Sequence, residues 1–169
     1  MTSSAHIAAA SLALLAQGAL QAAAPPASIK LTSAERSAAF RAAGFKLQAG
    51  QWQGCGDPGT AAYTPGAIEW TRDINGDGLP EVLINEGSTY CYGMTGTGFA
   101  LVGKTKAGAW KLILAEQGIA EPLATRGVAG WPDISIGGPG FCFPVYRWNG
   151  RAYVLNRFEY DGKRCRPER

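Results

Sequence analysis

From Gln51 onward, glycine and proline interrupt the chain at short intervals, and the runs between them are rich in Val, Ile, Tyr, Phe and Trp. Short strands joined by turns fit that punctuation, and long amphipathic helices do not. The pattern predicts strands at 67–72, 81–85, 89–92, 99–105, 110–115, 133–136, 141–148 and 152–160. Lys106-Ala107-Gly108 and Asn149-Gly150 read as hairpin turns, the second with the residues preferred in a type I′ turn. Residues 119–129 lack alternation and read as a connecting loop. Ahead of the β region, Thr32-Ser33-Ala34-Glu35 has the form of a capping box. It opens a short Ala-rich helix expected over 33–43 and stopped at Gly44, with Phe40 on a narrow apolar stripe suited to packing on a sheet.

An internal echo refines this parse. Gly78-Leu79-Pro80-Glu81-Val82-Leu83-Ile84, followed by Gly87 and Tyr90-Cys91-Tyr92, is matched by Gly130-Trp131-Pro132-Asp133-Ile134-Ser135-Ile136, followed by Gly138 and Phe141-Cys142-Phe143. Two related units of three or four strands are therefore expected within one domain. The fold class is mainly β (α+β): a short N-terminal helix, then an antiparallel sheet or sandwich built from two related β units.

The first two dozen residues contain no Lys, Arg, Asp or Glu, and an Ala- and Leu-rich run ends in Ala22-Ala23-Ala24 before Pro25. This reads as a signal peptide over 1–24. Residues 25–50 then form a lead-in and short helix, and 51–169 the β domain; no further segment is long and apolar enough to span a bilayer. Export to the periplasm or beyond is the expectation. The one histidine, His6, falls in that segment, so histidine-based acid–base catalysis and histidine-ligated metals drop out of a mature chain. The four cysteines form no CxxC pair, which favours two disulfides over a zinc ribbon or a redox dithiol. Three connectivities are possible; one bridge per unit, Cys55–Cys91 with Cys142–Cys165, is preferred. A net charge of +3, with basic residues scattered until Lys163-Arg164-Cys165-Arg166, points away from nucleic acid.

The densest chemistry lies in Asp73-Ile74-Asn75-Gly76-Asp77-Gly78-Leu79-Pro80-Glu81. Side-chain oxygens at loop positions one, three, five and nine, with glycine at six, suit a hard cation that takes about six to eight oxygens. The expected ligands of one structural Ca²⁺ are Asp73, Asn75, Asp77, the Leu79 carbonyl and Glu81, completed by water. An EF-hand is excluded because position twelve is Ile84 and the loop runs into a β-prone segment after Pro80. The affinity expected of an extracellular calcium module is about 10⁻⁴–10⁻³ M. The second unit has no acidic loop before Gly130, so the ion is expected in the first alone.

The segment from Arg72 to Val82 resembles the calcium loops of FG-GAP and VCBS repeat proteins, which place ligands at the same four positions. Those families build many-bladed propellers, for which this chain is too short. The run from Gly130 through Pro144 and on to Trp148-Asn149-Gly150 resembles small exported bacterial proteins of unassigned activity, a likeness that implies compartment and fold and supplies no catalytic residues.

Three functions fit these residues. The preferred one is an exported, non-catalytic, calcium-stabilised module that binds an envelope or extracellular protein or a surface glycan. Its five tryptophans, Trp52, Trp70, Trp110, Trp131 and Trp148, are mostly core candidates, with Trp131 expected to be exposed in its glycine-rich loop. A carboxylate-only glycoside hydrolase would need two facing acids, and Glu69, Glu86, Asp133 and Glu159 are the unassigned ones. A structural accessory with no ligand beyond calcium is the third.

Overall fold

The computed structural model describes residues 28–167, so the expected signal peptide and His6 lie outside the described residues. Helix α1 (Ser33–Ala42) opens as its capping box dictates: the Thr32 side chain accepts from the Glu35 amide, and the Glu35 carboxylate accepts from the Thr32 amide. A hairpin of β1 (Lys46–Gln48) and β2 (Gln51–Gln53) follows, turning at Ala49 and Gly50, both with positive φ. Two antiparallel sheets make up the rest. The first runs β3 (Thr64–Arg72), β4 (Glu81–Gly87), β5 (Thr97–Lys104), β6 (Trp110–Gln117) in sequence order. The second is ordered β11 (Lys163–Arg164), β10 (Tyr153–Tyr160), β9 (Phe143–Trp148), β8 (Pro132–Gly137), β7 (Ile119–Arg126).

The echo in the sequence thus corresponds to two four-stranded meanders, β3–β6 and β7–β10, with β4 and β8 in equivalent places. They pack face to face. Trp70, Leu83, Phe99, Leu101 and Leu114 of the first sheet meet Ile134, Ile136 and Tyr153 of the second. On the opposite face of the first sheet, Val82, Ile84, Ala100 and Val102 are covered by Ala39 and Phe40 of α1, by Phe45 and by Trp52. Successive side chains point to opposite faces of a strand, so β4 and β5, covered on both, need unbroken apolar runs. That is why Val82-Leu83-Ile84 and Phe99-Ala100-Leu101-Val102 are the most apolar strands of the chain.

Four expectations from sequence are corrected. Residues 89–92 form a helical turn, α2 (Thr89–Tyr92), because Ser88 caps it by accepting from the Cys91 amide and Gly93 and Gly96, with positive φ, end it. The Tyr90-Cys91-Tyr92 triplet is therefore not pleated, and strand β9 likewise begins only at Phe143, after Cys142. Residues 119–126 are a strand and not a loop. This β7 is an edge strand, mostly exposed, which tolerates Pro122 and shows little of the alternation that a buried face imposes. The Asn149-Gly150 turn is a longer connection spanning residues 149–152, closed by the Asn149 side chain accepting from the amides of Arg151 and Ala152.

Both bridges form as preferred, Cys55–Cys91 and Cys142–Cys165, with no free cysteine. They close loops with sequence separations of 36 and 23 residues. In the chain-entropy account, each stabilises the fold by about 3–4 kcal/mol. No helix of the described residues is long and apolar enough to cross a membrane.

The chain passes from one sheet to the other through Gly118 alone, between β6 and β7. Its φ is +133°, and a Cβ there would lie 2.5 Å from the Gly137 carbonyl oxygen and 2.6 Å from Ile136 Cγ2. Gly118→Ala is expected to destabilise the fold by about 2 kcal/mol, read from the denaturant midpoint, because strain and clash add at one point. An unchanged midpoint would show that the crossing is more plastic than its packing implies.

Candidate metal loop and adjoining cleft

The acidic segment connects β3 to β4 and is organised by its own side chains. Asp73 Oδ1 accepts from the amides of Gly76 (2.7 Å) and Asp77 (3.2 Å), and Oδ2 accepts from Gly78 (2.8 Å). Asn75 Oδ1 accepts from the Asp77 amide and Asp77 Oδ1 from the Leu79 amide, each at 2.8 Å. Asn75 Nδ2 donates to Asp77 Oδ2 at 3.3 Å. Gly76 and Gly78 both have positive φ, which lets the backbone curl around these oxygens. Ile74 is buried in the core between the sheets and anchors the loop.

The second unit supports this loop from behind. Arg126 Nη1 donates to the carbonyls of Ile74 (2.9 Å) and Gly130 (2.5 Å). A Cβ on Gly130 would lie 2.6 Å from the Asn75 carbonyl oxygen, so the two equivalent connections, β3–β4 and β7–β8, lie directly against each other.

Glu81, the last expected ligand, opens β4 and is 1% exposed. Among the described residues its carboxylate has one hydrogen bond, Oε2 accepting from the Ile74 amide at 3.0 Å, and no ion pair. Burial pushes its pKa up to about 8, opposed by the Ile74 hydrogen bond and reinforced by the charges of Asp77 and Asp73. Glu81 is therefore a buried acid crowded by negative charge.

Its counterpart in the second unit is treated differently. Asp133 also follows a proline at the start of its strand and is fully buried. Arg147 donates from Nε to Oδ1 (2.9 Å) and from Nη2 to Oδ2 (2.8 Å), while Arg157 Nη1 (2.5 Å) and Thr125 Oγ1 (2.6 Å) also donate to Oδ2. Burial alone would raise this carboxyl, but the bonds from Arg147, Thr125 and Arg157 outweigh it and hold the group well below the usual carboxylate range. One unit thus neutralises its buried acid with guanidinium groups; in the other, among the described residues, no ion pair reaches the buried acid.

The five expected ligand residues do share one loop and its edge, but their charged groups are not drawn to a single point. Among the described residues, no three His, Cys, Asp or Glu side chains converge closely enough to hold a metal ion. The donor set itself suits calcium, being all oxygen, and Glu81 offers an oxygen with no hydrogen-bond donor on it.

Asp77, Leu79 and Glu81 also form part of a cleft of about 460 Å³ where the ends of both sheets meet. Trp131 and Trp148 line it from the second unit, their rings 5.1 Å apart at 34°. Trp131 is half-buried, against the expectation of exposure, because it packs on Trp148 and edge-on to Tyr153 beneath. Lys104, Lys106, Lys111 and Arg151 add positive charge to the lining.

Two of the four unassigned acids are buried hubs, a role that the sequence assigns to neither. Asp133 is one, and its alignment with Glu81 in the echo was the available clue. Glu86, 1% exposed, is the other. Its Oε1 accepts from the Gly54 amide and Tyr63 hydroxyl, and its Oε2 from the Cys55 amide and Tyr92 hydroxyl, all within 2.7–2.9 Å. No local pattern marks it, since its donors come from residues 54–63 and from α2. Glu69 hydrogen-bonds Asn85 on the exposed side of β3, and Glu159 pairs with Arg157. No protein-family model, curated protein or solved structure matches this chain.

Proposed function

We propose that the protein is an exported, non-catalytic β module that holds one structural calcium ion at the β3–β4 loop and binds a protein or surface glycan. The observation that carries the metal is the contrast between the two buried acids. Asp133 has two guanidinium partners, whereas Glu81 sits equally buried beside Asp73 and Asp77 with no ion pair among the described residues. An uncompensated buried carboxylate is costly, and a divalent ion taken by Asp73, Asn75, Asp77, the Leu79 carbonyl and Glu81 would remove that penalty. Two disulfides support maturation in an oxidising compartment. The glycoside hydrolase reading loses two of its candidates, because Glu86 and Asp133 are fully engaged by protein donors.

Thermal melts in calcium, magnesium and chelator test the metal. Calcium at a hundredfold excess over Kd is expected to stabilise the fold by about 2.7 kcal/mol, raising the melting temperature by roughly 5–10 °C. Glu81→Gln should abolish the shift. Superimposable curves for the unaltered protein would remove calcium from the account.

The pH dependence has a defined sign. Glu81 binds its proton more tightly when folded, since its pKa is raised from 4.5 to about 8. In chelator, its contribution is therefore complete below about pH 4.5 and is lost as pH rises towards 8, lowering the melting temperature across that window. With calcium present, the ligated carboxylate has no proton to lose and the decline should flatten. A chelator profile that rises over the same window would contradict the buried, unpaired state of Glu81.

A further inference from the structure

We infer that the cleft between the sheet ends binds an acidic saccharide, a short run of sugars bearing carboxylates of the uronate type. The inference rests on the binding-module reading above and names the ligand class and the place. A volume of about 460 Å³ accommodates two or three sugar rings, within the range usual for small-molecule sites. Trp131 and Trp148 supply apolar faces on which a sugar ring can lie.

The polar lining selects among anions. Lys106, Lys111 and Arg151 are exposed and, among the described residues, have no ion-pair partner. Lys104, also in the lining, is already paired with Glu35 of α1 at 2.7 Å. Three uncommitted cations favour a ligand carboxylate. With the ion in place, Asp77 and Glu81 in the same cleft carry no uncompensated charge, and sugar hydroxyls can donate to the lone pairs that the ion leaves free. An acidic peptide offers the negative charge but neither the hydroxyls nor a flat apolar face. Acceptor oxygens, uncommitted cations and aromatic rings in one cleft therefore match a hydroxyl-rich ring that bears a carboxylate.

Calorimetric titration of the protein in calcium buffer with trigalacturonate, maltotriose and triglutamate tests this. Trigalacturonate should bind, with maltotriose and triglutamate each at least ~10-fold weaker, and affinity should fall as salt is raised. The Lys106→Glu/Lys111→Glu variant should lose at least ~10-fold in trigalacturonate affinity with its melting temperature unchanged, because both side chains are exposed. Lys106→Arg/Lys111→Arg should retain binding, showing that positive charge and not local shape is needed. Absence of trigalacturonate binding, equal binding of maltotriose or triglutamate, or indifference to the charge reversal would each overturn the inference. Melts without saccharide decide the calcium separately: a calcium shift without trigalacturonate binding defeats the cleft alone, and charge-dependent binding without a calcium shift defeats the metal alone.

Discussion

Asp133→Ala is expected to destabilise the protein by about 3–5 kcal/mol, the range found when one partner of a buried ion pair is removed. The loss comes chiefly from what remains. Arg157, whose side chain is 7% exposed, would keep its charge in the interior with Glu159 as its one remaining acid. Thr125 and Arg147 would also lose their acceptor. The double variant Asp133→Leu/Arg157→Leu should be less destabilised than Asp133→Ala, because the most buried guanidinium leaves with Asp133 and the Glu159 left behind reaches solvent. Equilibrium denaturation of the three proteins decides it, and a double variant worse than the single one would mean that the cluster contributes net stability. The same carboxyl gives the acid limb of the pH profile. Its folded pKa is depressed, so its contribution is present above the unfolded value of 3.8 and is lost as pH falls below it. With the opposite slope expected from Glu81 in chelator, metal-free protein should be most stable near pH 4–5, between the two limbs.

Glu86→Gln is the second large effect, at about 3 kcal/mol or more. Glutamine keeps the shape but turns one acceptor oxygen into an amide donor, facing two of the four donors that now meet Glu86. Two charge-assisted bonds are lost, each contributing about 1.5–3 kcal/mol, and donors are left opposed. The damage should be local before it is global. Residues 54–63 are held to β4 by this carboxylate and to the α2 turn by the Cys55–Cys91 bridge and the Ser88–Asp57 bond, so hydrogen exchange at the Gly54 and Cys55 amides should accelerate more than at β8. Tyr63, now pushed up to about 12 by burial and by its bond to Glu86, should titrate closer to its ordinary value in the variant. Uniform acceleration across both sheets would show that Glu86 supports the whole fold and not one strap.

Much of this fold is legible in the residues alone. The capping box at Thr32 and Glu35, the apolar runs of β4 and β5, the duplicated Pro-acid motif and the bridge within each unit follow from local chemistry or from repetition along the chain. Periodicity arises where burial imposes it, so centrally placed strands announce themselves. The edge strand β7 did not, because an exposed strand with Pro122 has no face to encode. The helical turn at Thr89–Tyr92 was hidden for another reason: its aromatic residues favour strands, and only the Ser88 cap with the bridge to Cys55 overrides them.

The candidate site divides in the same way. The spacing of oxygens in residues 73–81 is a property of a contiguous segment, so the sequence determines which donors are available to an ion. Whether a given acid meets a cation, four donors or nothing depends on strands far apart in the chain. Arg147 and Arg157 reach Asp133 across β9 and β10, Gly54 and Tyr63 reach Glu86 across tens of residues, and among the described residues Glu81 receives only the nearby Ile74 amide. Local spacing could propose ligands and turns because short-range geometry is set by the backbone between them. The tertiary structure alone assigned the partners of each buried charge, and it alone brought Trp131 and Trp148 of one unit against Asp77 and Glu81 of the other.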